Sequence, residues 1–307
     1  MTEKKSFSVR SSDGTHELRG VVYLPQGKAK GLFQVVHGMT EHIGRYDRFL
    51  TDMAENGYIS FGYDHLGHGN TANDDSELGY IAKERGWELL AKDVKVFSDA
   101  VRAEFADGDT AFYLLGHSMG SFIARLAAER FLTPDRLIIM GTGGPNPAAG
   151  AGLALIGLIK TFKGDKHFSP LIDGIAFGSY NKRFGNATDT DPKLWLTNDE
   201  SVRRTYYADK YCAFNFTVSA MGDLIRLIKY TNCSAWYKNI KSDMPILLVS
   251  GEDDPVGNYG KGVLEVESKL KKHGKDVTCK LYSEARHEIL NDFTYDEVKR
   301  DILEFCE

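Results

Sequence analysis

The sequence predicts an α/β fold, with a mostly parallel central sheet flanked by helices and a helical segment inserted between two strands. Short apolar runs closed by glycine or aspartate recur along the chain, and strands buried on both faces have this pattern. Segments with apolar residues at helical spacing lie between the runs, which is typical of right-handed βαβ units. One stretch, about residues 145–234, has no strand-like run and contains turns, helical fragments and many aromatic residues.

The strands are expected in two groups. Residues 7–10 and 18–24 alternate between apolar and polar side chains around an Asp13-Gly14 turn, which predicts an opening hairpin. The buried strands of the parallel sheet are predicted at residues 31–36, 59–63, 111–115, 137–140, 246–249 and 277–282.

Helices are predicted where apolar residues repeat every three or four positions. The predicted helices are residues 45–55, 87–105, 122–131, 263–270 and 295–305. The alternation of strands and helices therefore predicts a core made of residues 1–144 and 235–307. Residues 145–234 are expected to form an inserted helical cap.

Composition narrows the class of protein. The 307 residues are 42% hydrophobic and 26% charged, which is enough apolar material for a folded core. The net charge is −5 without a block of lysine and arginine, so nucleic acid is not an expected partner. The chain shows no apolar leader, no apolar stretch of the ~20 residues that a membrane span needs, and no cysteine spacing typical of a disulfide frame or zinc site. We therefore expect a cytoplasmic protein that uses no metal and no organic cofactor.

The strongest chemical signal is Gly-His-Ser-Met-Gly at residues 116–120, a G-x-S-x-G motif. Alone the motif is weak, but here it directly follows a predicted buried strand and precedes a predicted helix. A nucleophile elbow requires this setting, because flanking glycines leave room for a sharply turned serine. The pattern predicts Ser118 as a nucleophile, with helix-terminal amides beside it to stabilise an oxyanion.

A serine nucleophile needs a base, and the base needs an acid that orients it. In this arrangement the chain order is serine, acid, histidine, with each group placed after a strand. His287 follows the last predicted strand, whereas His167 lies in the insertion and His273 in a lysine-rich helix end. His287 is therefore the predicted base.

The acid is expected in the loop that follows the predicted strand 246–249. Glu252, Asp253 and Asp254 are all candidates by position. Asp254 is favoured because Pro255 fixes the loop beside it.

Together these residues resemble the α/β-hydrolase superfamily and, within it, the monoacylglycerol lipase and lysophospholipase group, also described as serine aminopeptidase-like S33 hydrolases. Residues 37–46, His-Gly-Met-Thr-Glu-His-Ile-Gly-Arg-Tyr, are similar to that group's H-G-x-x-E-H-x-x-R-Y loop. Residues 64–69, Asp-His-Leu-Gly-His-Gly, are similar to its D-x-x-G-H-G loop. The resemblance continues through the serine motif, Gly251-x-x-Asp254 and the Ala-Arg-His-Glu of residues 285–288, so it covers nearly all of the predicted core.

The resemblance implies an α/β-hydrolase fold and assigns Ser118 as nucleophile, Asp254 as acid and His287 as base. It also implies an oxyanion hole formed by the backbone amides of Met39 and Met119, and this agrees with their positions after a strand and after the predicted nucleophile.

In the same family, the residues that match Glu41, Arg45 and His117 lie near the polar head of the substrate. The alternative is that these residues form a buried ion pair that braces the oxyanion loop. Ser121 departs from the pattern, because many members have a further glycine there. Serine is small, so the elbow is expected to survive this change.

These residues predict two-step acyl transfer on a carboxylic ester. The resemblance implies a small-molecule monoacyl ester, such as a monoacylglycerol or lysophospholipid, whose acyl chain lies under the cap. The alternatives are an aminopeptidase-like enzyme, a short-chain or aryl esterase, and a non-catalytic binding protein on the same scaffold. An aminopeptidase needs cap carboxylates that face the site. The candidates are Asp173, Asp189, Asp191, Asp199, Glu200, Asp209 and Asp223.

Two further segments have alternative interpretations. Asp64, His65 and His68 offer metal-ligating groups, but the glycines between and after the histidines favour a loop that braces the floor of the site. Residues 151–158 are apolar, and they fit either a lid helix that makes transient contact with lipid surfaces or a buried cap helix.

Overall fold

The computed structural model describes residues 2–188 and 191–307. At its centre lies an eight-stranded sheet with the order β1-β2-β4-β3-β5-β6-β7-β8. The strands are β1 (Glu3–Arg10), β2 (Glu17–Leu24), β3 (Gly31–Val36), β4 (Tyr58–Tyr63), β5 (Phe112–His117), β6 (Arg136–Met140), β7 (Ile246–Gly251) and β8 (Val277–Tyr282). The β1–β2 and β2–β4 pairs are antiparallel, and the other neighbouring pairs are parallel. The predicted mostly parallel sheet with an opening hairpin is confirmed.

Helices follow most of the strands and continue between β6 and β7. They are α1 (Asp47–Glu55), α2 (Gly86–Phe105), α3 (Met119–Arg130), α4 (Ala149–Lys163), α5 (Pro170–Phe177), α6 (Glu200–Ala208), α7 (Val218–Thr231), α8 (Ser234–Asn239), α9 (Lys261–Lys272) and α10 (Tyr295–Cys306). The helix predicted at residues 122–131 begins three residues earlier, because its first turn contains small residues that carry no apolar signal.

The sheet separates two apolar layers. On one face, α1 and α10 pack against the strands through residues such as Phe49 and Ile302. On the other face, α2, α3 and α9 pack through residues such as Val94, Ile123 and Val266. All six residues of β3, β4, β5 and β7 are buried, as expected of strands covered on both sides.

The long connection between β6 and β7 is helical. Val218 and Leu227 of α7 belong to the same apolar cluster as Ile123 of α3, so this connection packs onto the core next to the end of β5. Within the described ranges, no helix combines the length and the apolar composition that a bilayer crossing requires.

Candidate active site

Ser118 lies alone between the end of β5 at His117 and the start of α3 at Met119. Its backbone has φ 55° and ψ −122°, a conformation that a residue with a Cβ atom rarely adopts. The turn is held because the Ser118 amide donates to the carbonyl of Met140 at 2.9 Å. Ser121 donates to the carbonyl of Ser118 through its amide at 2.9 Å and through its hydroxyl at 2.6 Å. The serine at position 121 therefore stabilises the elbow instead of disturbing it.

The two glycines of the motif are needed for steric reasons. A Cβ atom on Gly120 would overlap the carbonyl oxygens of Val36 and His37 at the end of β3. A Cβ atom on Gly116 would overlap the carbonyl of Gly120. Strand, turn and helix approach so closely here that any side chain would push the serine out of position.

Asp254 and His287 meet at the ends of β7 and β8. His287 Nδ1 lies 2.9 Å from Asp254 Oδ2, and both side chains are buried. The other carboxylate oxygen of Asp254 accepts from the Val256 amide at 2.8 Å. Of the two alternative acids, Glu252 is exposed and Asp253 is half-buried, and neither is joined to His287 by a hydrogen bond in the described chain.

Ser118 and His287 line one cavity of about 330 Å³. No hydrogen bond joins their side chains in the part of the chain that the structure describes. The ring of His287 contacts the rings of His117 and Trp195, with centroid distances of 4.8 and 5.1 Å. These two rings restrict the orientation of the imidazole. His167 and His273, the other histidines that follow the serine motif, do not line this cavity.

The loop after β3 carries the first predicted oxyanion donor. Met39 and Met119 both line the cavity beside Ser118. Among the described residues, neither backbone amide donates to a protein acceptor. Thr40 has a φ of 51°, so the loop turns sharply directly after Met39. The Gly38 amide, directly before Met39, donates to Glu41 Oε1 at 2.5 Å.

Glu41 belongs to a buried network of charges behind this loop. Arg45 Nη1 lies 3.0 Å from Glu41 Oε2 and 2.5 Å from Glu288 Oε1, while Nη2 lies 2.6 Å from Glu288 Oε2. His117 Nδ1 lies 3.3 Å from Glu41 Oε1, and the Tyr46 hydroxyl donates to the same oxygen at 2.9 Å. Glu41 and His117 line the cavity, whereas Arg45 lies behind them.

The contacts within this network favour the charged forms of Glu41 and His117. Burial alone would raise the pKa of Glu41, but the hydrogen bond to His117 and the charge of Arg45 hold that pKa well below its usual range. Burial alone would lower the pKa of His117, but the hydrogen bond and charge of Glu41 raise it above the ordinary value. The network therefore contains two carboxylates, an arginine and a histidine whose charged form is favoured.

The residues proposed as a floor or a metal site make structural contacts. Asp64 accepts the amides of Ile43 and Asn70, each at 2.8 Å, which ties the oxyanion loop to the loop after β4. His65 contacts His37 through the backbone and the ring, at distances of 3.0 and 3.1 Å. Burial lowers the pKa of His65 to about 3.

A contact between the β6–β7 connection and the oxyanion loop was not predicted from the sequence. The Tyr206 hydroxyl of α6 donates to the Thr40 carbonyl at 2.8 Å and lies 2.7 Å from the Thr40 hydroxyl. Lys193 Nζ donates to the Tyr206 hydroxyl at 2.9 Å. Thr40 and Tyr206 lie 166 positions apart, and no local pattern in the sequence signals their contact.

The predicted carboxylates of the insertion are mostly away from the cavity. Among the predicted carboxylates that lie in the described ranges, only Asp173 lines the cavity. Asp223 is buried against α2, Asp209 pairs with His42 at 2.8 Å, and Asp191 pairs with Arg203 at 2.9 Å. Asp199 and Glu200 are exposed at the start of α6, and Asp189 lies outside the described residues.

Comparisons with known proteins agree with this fold. The family described as "Serine aminopeptidase, S33" matches residues 27–294. Monoglyceride lipase of Mus musculus is 34% identical over 107 residues, which are 34% of this chain and 33% of that protein. The match thus spans about a third of the mouse protein. Monoacylglycerol lipase of Mycolicibacterium smegmatis is 24% identical over 298 residues, covering 92% of this chain and 93% of that protein.

A solved structure matches over almost the whole chain. The thermostable carboxyl esterase of Bacillus coagulans, determined in complex with glycerol, has a TM-score of 0.91 and 28% identity, covering 98% of this chain and 97% of its own. The fold and the elbow define an α/β-hydrolase. The chain belongs to the serine aminopeptidase S33 family, and the resemblance inferred from the motifs is confirmed.

Proposed function

We propose that this protein hydrolyses carboxylic esters with a single long acyl chain, using Ser118 as nucleophile, His287 as base and Asp254 as the orienting acid. The observation that carries the proposal is the strained elbow of Ser118, which shares a cavity with a histidine bonded to a buried aspartate at 2.9 Å. Backbone strain of this kind persists where surrounding structure enforces it, and it is concentrated at functional sites.

The reaction follows from the orientation of the imidazole. Nδ1 of His287 faces Asp254, so Nε2 is free to accept the proton of the Ser118 hydroxyl. Serine oxygen attacks the ester carbonyl, and His287 then passes the proton to the departing alcohol oxygen. Water attacks the acyl-enzyme with His287 as base, which releases the carboxylic acid and restores the serine. Catalytic hydrogen bonds are often long in the absence of substrate and shorten in the complex, which fits the separation of Ser118 and His287.

The developing oxyanion is assigned to the amides of Met39 and Met119. Both amides are free of protein acceptors within the described ranges, and Met119 opens a helix whose N-terminus favours negative charge. Amides that are already oriented stabilise the tetrahedral intermediate without reorganisation.

The network around Arg45 is assigned mainly to bracing this oxyanion loop. The side chain of Glu41 accepts a hydrogen bond from the Gly38 amide. Arg45 forms an ion pair with Glu41, whose side chain is 3% exposed, and so holds it in place. Arg45 itself does not line the cavity. Of the three residues that the resemblance places near the polar head of the substrate, Glu41 and His117 are therefore assigned to substrate contact, because they line the cavity.

The substrate class is supported by the walls of the cavity and by the relatives. Apolar side chains from α3, α7 and the loop after β7, including Phe122, Leu224, Ile228 and Val256, supply a surface for an acyl chain. The relatives named above include two lipases of monoacylglycerols and an esterase that bound glycerol. A monoacyl ester fits both observations.

We further propose that residues 145–234 form a cap whose outer face contacts lipid surfaces during substrate capture. Four large apolar side chains are exposed on α4 and α5, namely Leu158, Phe162, Leu171 and Ile175, at 57–77% exposure. Only Ala149 and Ile156 of α4 are buried, so most of this helix faces outward. A face of this kind binds at a membrane surface by burying its apolar side chains.

Flotation with phosphatidylcholine vesicles tests the lipid contact. The Phe162→Ser/Ile175→Ser variant should lose co-flotation and retain hydrolysis of p-nitrophenyl butyrate. Leu264→Ser, which removes an exposed leucine from α9, is the matched control and should float as the wild type does. Equal flotation of all three proteins would contradict the contact.

A fluorophosphonate probe tests the nucleophile. Wild-type protein should be labelled, Ser118→Ala should not, and Ser268→Ala, which changes an exposed serine of α9, should be labelled normally. Absence of labelling in the wild type would favour a binding protein on a hydrolase scaffold.

A panel of p-nitrophenyl esters tests the substrate class. kcat/KM is expected to rise from acetate toward chains of eight to twelve carbons. A sharp optimum at acetate would favour a short-chain esterase. Aminoacyl p-nitroanilides are included because Asp173 in the cavity is placed where it could meet an amino group. Faster cleavage of these than of any ester would favour the aminopeptidase alternative.

A further inference from the structure

Lys193 lies on the wall of the cavity, and none of the described carboxylates forms an ion pair with it. Its Nζ donates to the Tyr206 hydroxyl at 2.9 Å and lies 4.7 Å from the centre of that ring. Within residues 2–188 and 191–307, no carboxylate oxygen lies within 4.0 Å of this ammonium. An ammonium has three donors, and the described residues accept from one of them, through the Tyr206 hydroxyl.

The environment of Lys193 penalises its charge. Burial lowers its pKa to about 8, although Asp173 and more distant groups act in the opposite direction. A buried charge without a paired counter-charge is unfavourable, so an anion that binds here gains from satisfying it.

Two of the carboxylates that line the cavity are already engaged by other cations. Glu41 and Glu288 are neutralised by Arg45 and His117, through contacts between 2.5 and 3.3 Å. Asp173 lines the same cavity but lies beyond ion-pair distance of Lys193, and burial raises its pKa. Among the described residues that line the cavity, Lys193 is thus a cation that remains available to a ligand.

The position of Lys193 relative to the oxyanion loop indicates which part of the ester it meets. Tyr206 links Lys193 to the carbonyl of Thr40, the residue after Met39. The ammonium is therefore two hydrogen bonds from the loop that would hold the ester carbonyl. The apolar wall of α3 and α7 is left for the acyl chain, so the alcohol portion of the ester lies on the side of Lys193.

We propose that Lys193 is a specificity-determining residue that binds an anionic group, a phosphate or a carboxylate, on the alcohol portion of the monoacyl ester. Lysine binds phosphate as a point charge, and charged hydrogen bonds are about twice as strong as neutral ones. The inference rests on the proposed ester hydrolysis and adds the charge of the head group to it.

Matched lauroyl esters test this inference. The substrates are 1-lauroylglycerol, 1-lauroylglycerol 3-phosphate and 3-(lauroyloxy)propanoate, used below their micelle concentrations. The wild type should hydrolyse at least one anionic ester with kcat/KM about tenfold or more above the neutral ester, mainly through a lower KM. Comparing the two anionic esters shows whether a phosphate or a carboxylate is preferred.

Variants of Lys193 separate charge recognition from structure. Lys193→Met should lose most of the anionic preference, measured as kcat/KM for an anionic ester divided by kcat/KM for 1-lauroylglycerol. Lys193→Arg should retain the preference, and Lys182→Met, which alters an exposed lysine outside the cavity, should leave it unchanged. A wild type without anionic preference, or a Lys193→Met variant that lowers all three rates equally, would overturn the inference.

The outcome is distinguishable from failure of the proposed function. If Ser118 is labelled and p-nitrophenyl laurate is hydrolysed but charge makes no difference, only the role of Lys193 is wrong. If neither labelling nor ester hydrolysis occurs, the proposed function itself fails.

Discussion

Replacing Arg45 by methionine removes the cation at the centre of the buried network and leaves the surrounding volume filled. Arg45 is the ion-pair partner of Glu41 and Glu288, whose side chains are 3% and 4% exposed. The variant therefore leaves two buried carboxylates with only His117 as a cationic neighbour. Breaking a buried ion pair on one side destabilises a protein by about 3–5 kcal/mol.

The expected change in melting temperature follows from chain length. Unfolding entropy of about 2.1 cal/mol/K per residue means that 1 kcal/mol shifts the melting temperature of this 307-residue chain by about 1.6 °C. The loss of 3–5 kcal/mol then corresponds to a decrease of about 5–8 °C at pH 7.5. The decrease should shrink toward pH 5.5, because the pKa of Glu41 rises without Arg45 and protonation relieves the buried charge.

Differential scanning calorimetry of four proteins measures this effect. The set is the wild type, Arg45→Met, Glu288→Gln and the double variant, which should lose less stability than the sum of the single changes. Arg204→Met is the control, because its i,i+4 pair with Glu200 is exposed and contributes about 0–1 kcal/mol.

One result would refute the bracing role. If Arg45→Met melts within about 2 °C of Arg204→Met and mainly raises KM, Arg45 acts on the substrate and does not hold the loop. The interpretation that the resemblance favours, a contact with the polar head, would then be the better one.

Three other predictions follow from buried polar groups. Tyr206→Phe removes the hydroxyl that donates to the Thr40 carbonyl, so kcat for p-nitrophenyl laurate should fall about tenfold. An unchanged kcat with a lower melting temperature would show a purely structural role. Burial raises the pKa of Asp223 to about 6, so this carboxylate destabilises the fold above the unfolded pKa of about 4. Asp223→Asn should therefore increase the free energy of unfolding in urea by about 1–3 kcal/mol at pH 7. An increase that persists at pH 4 would contradict this cause. Burial lowers the pKa of His65 to about 3 and that of His68 to about 4. Both histidines therefore take up a proton when the chain unfolds below pH ~6.5. Each should lower the free energy of unfolding by about 2 kcal/mol between pH 7 and pH 5. The slope of unfolding free energy against pH should drop by about one proton in His68→Gln, and an unchanged slope would refute that assignment.

The sequence predicts the sheet and the elbow because both depend on short-range patterns. A buried strand is a run of apolar residues, and the elbow is a pair of glycines around a serine at the end of such a run. Gly120 is identified from the motif alone, and the structure supplies the reason, since a Cβ atom there would overlap Val36. The start of α3 at Met119 is less visible, because Gly120 and Ser121 in its first turn carry no apolar signal.

Burial separates candidates that the sequence treats as equal. Glu252, Asp253 and Asp254 are three adjacent carboxyl groups, and sequence spacing cannot tell which of them faces the histidine. In the structure Asp254 is fully buried and contacts His287, whereas Glu252 is exposed. Their difference arises from how the loop closes against β8, which is a long-range feature.

The contacts of Tyr206 and Lys193 were missed for a related reason. Both residues lie in the connection between β6 and β7, where aromatic and charged residues occur without a clear period. Thr40, the partner of Tyr206, belongs to a loop near the start of the chain. Only the packing of the connection onto the core brings them together, so the sequence predicts a cap but not which of its side chains enter the site.

Arg45 and Lys193 lie near the same cavity, but their different surroundings mean that removing each cation should have a different effect. Arg45 faces two carboxylates at 2.5–3.0 Å and lies behind the cavity wall, so its removal should lower stability. Lys193 faces a neutral hydroxyl and lines the cavity, so its removal should relieve an unfavourable charge and change which ester binds. Arg45→Met is therefore expected to lose about 5–8 °C, whereas Lys193→Met is expected to lose none while its preference for an anionic ester disappears. If both variants lost similar stability and similar activity, the separation between a bracing arginine and a ligand-binding lysine would be wrong, because both cations would belong to one structural network.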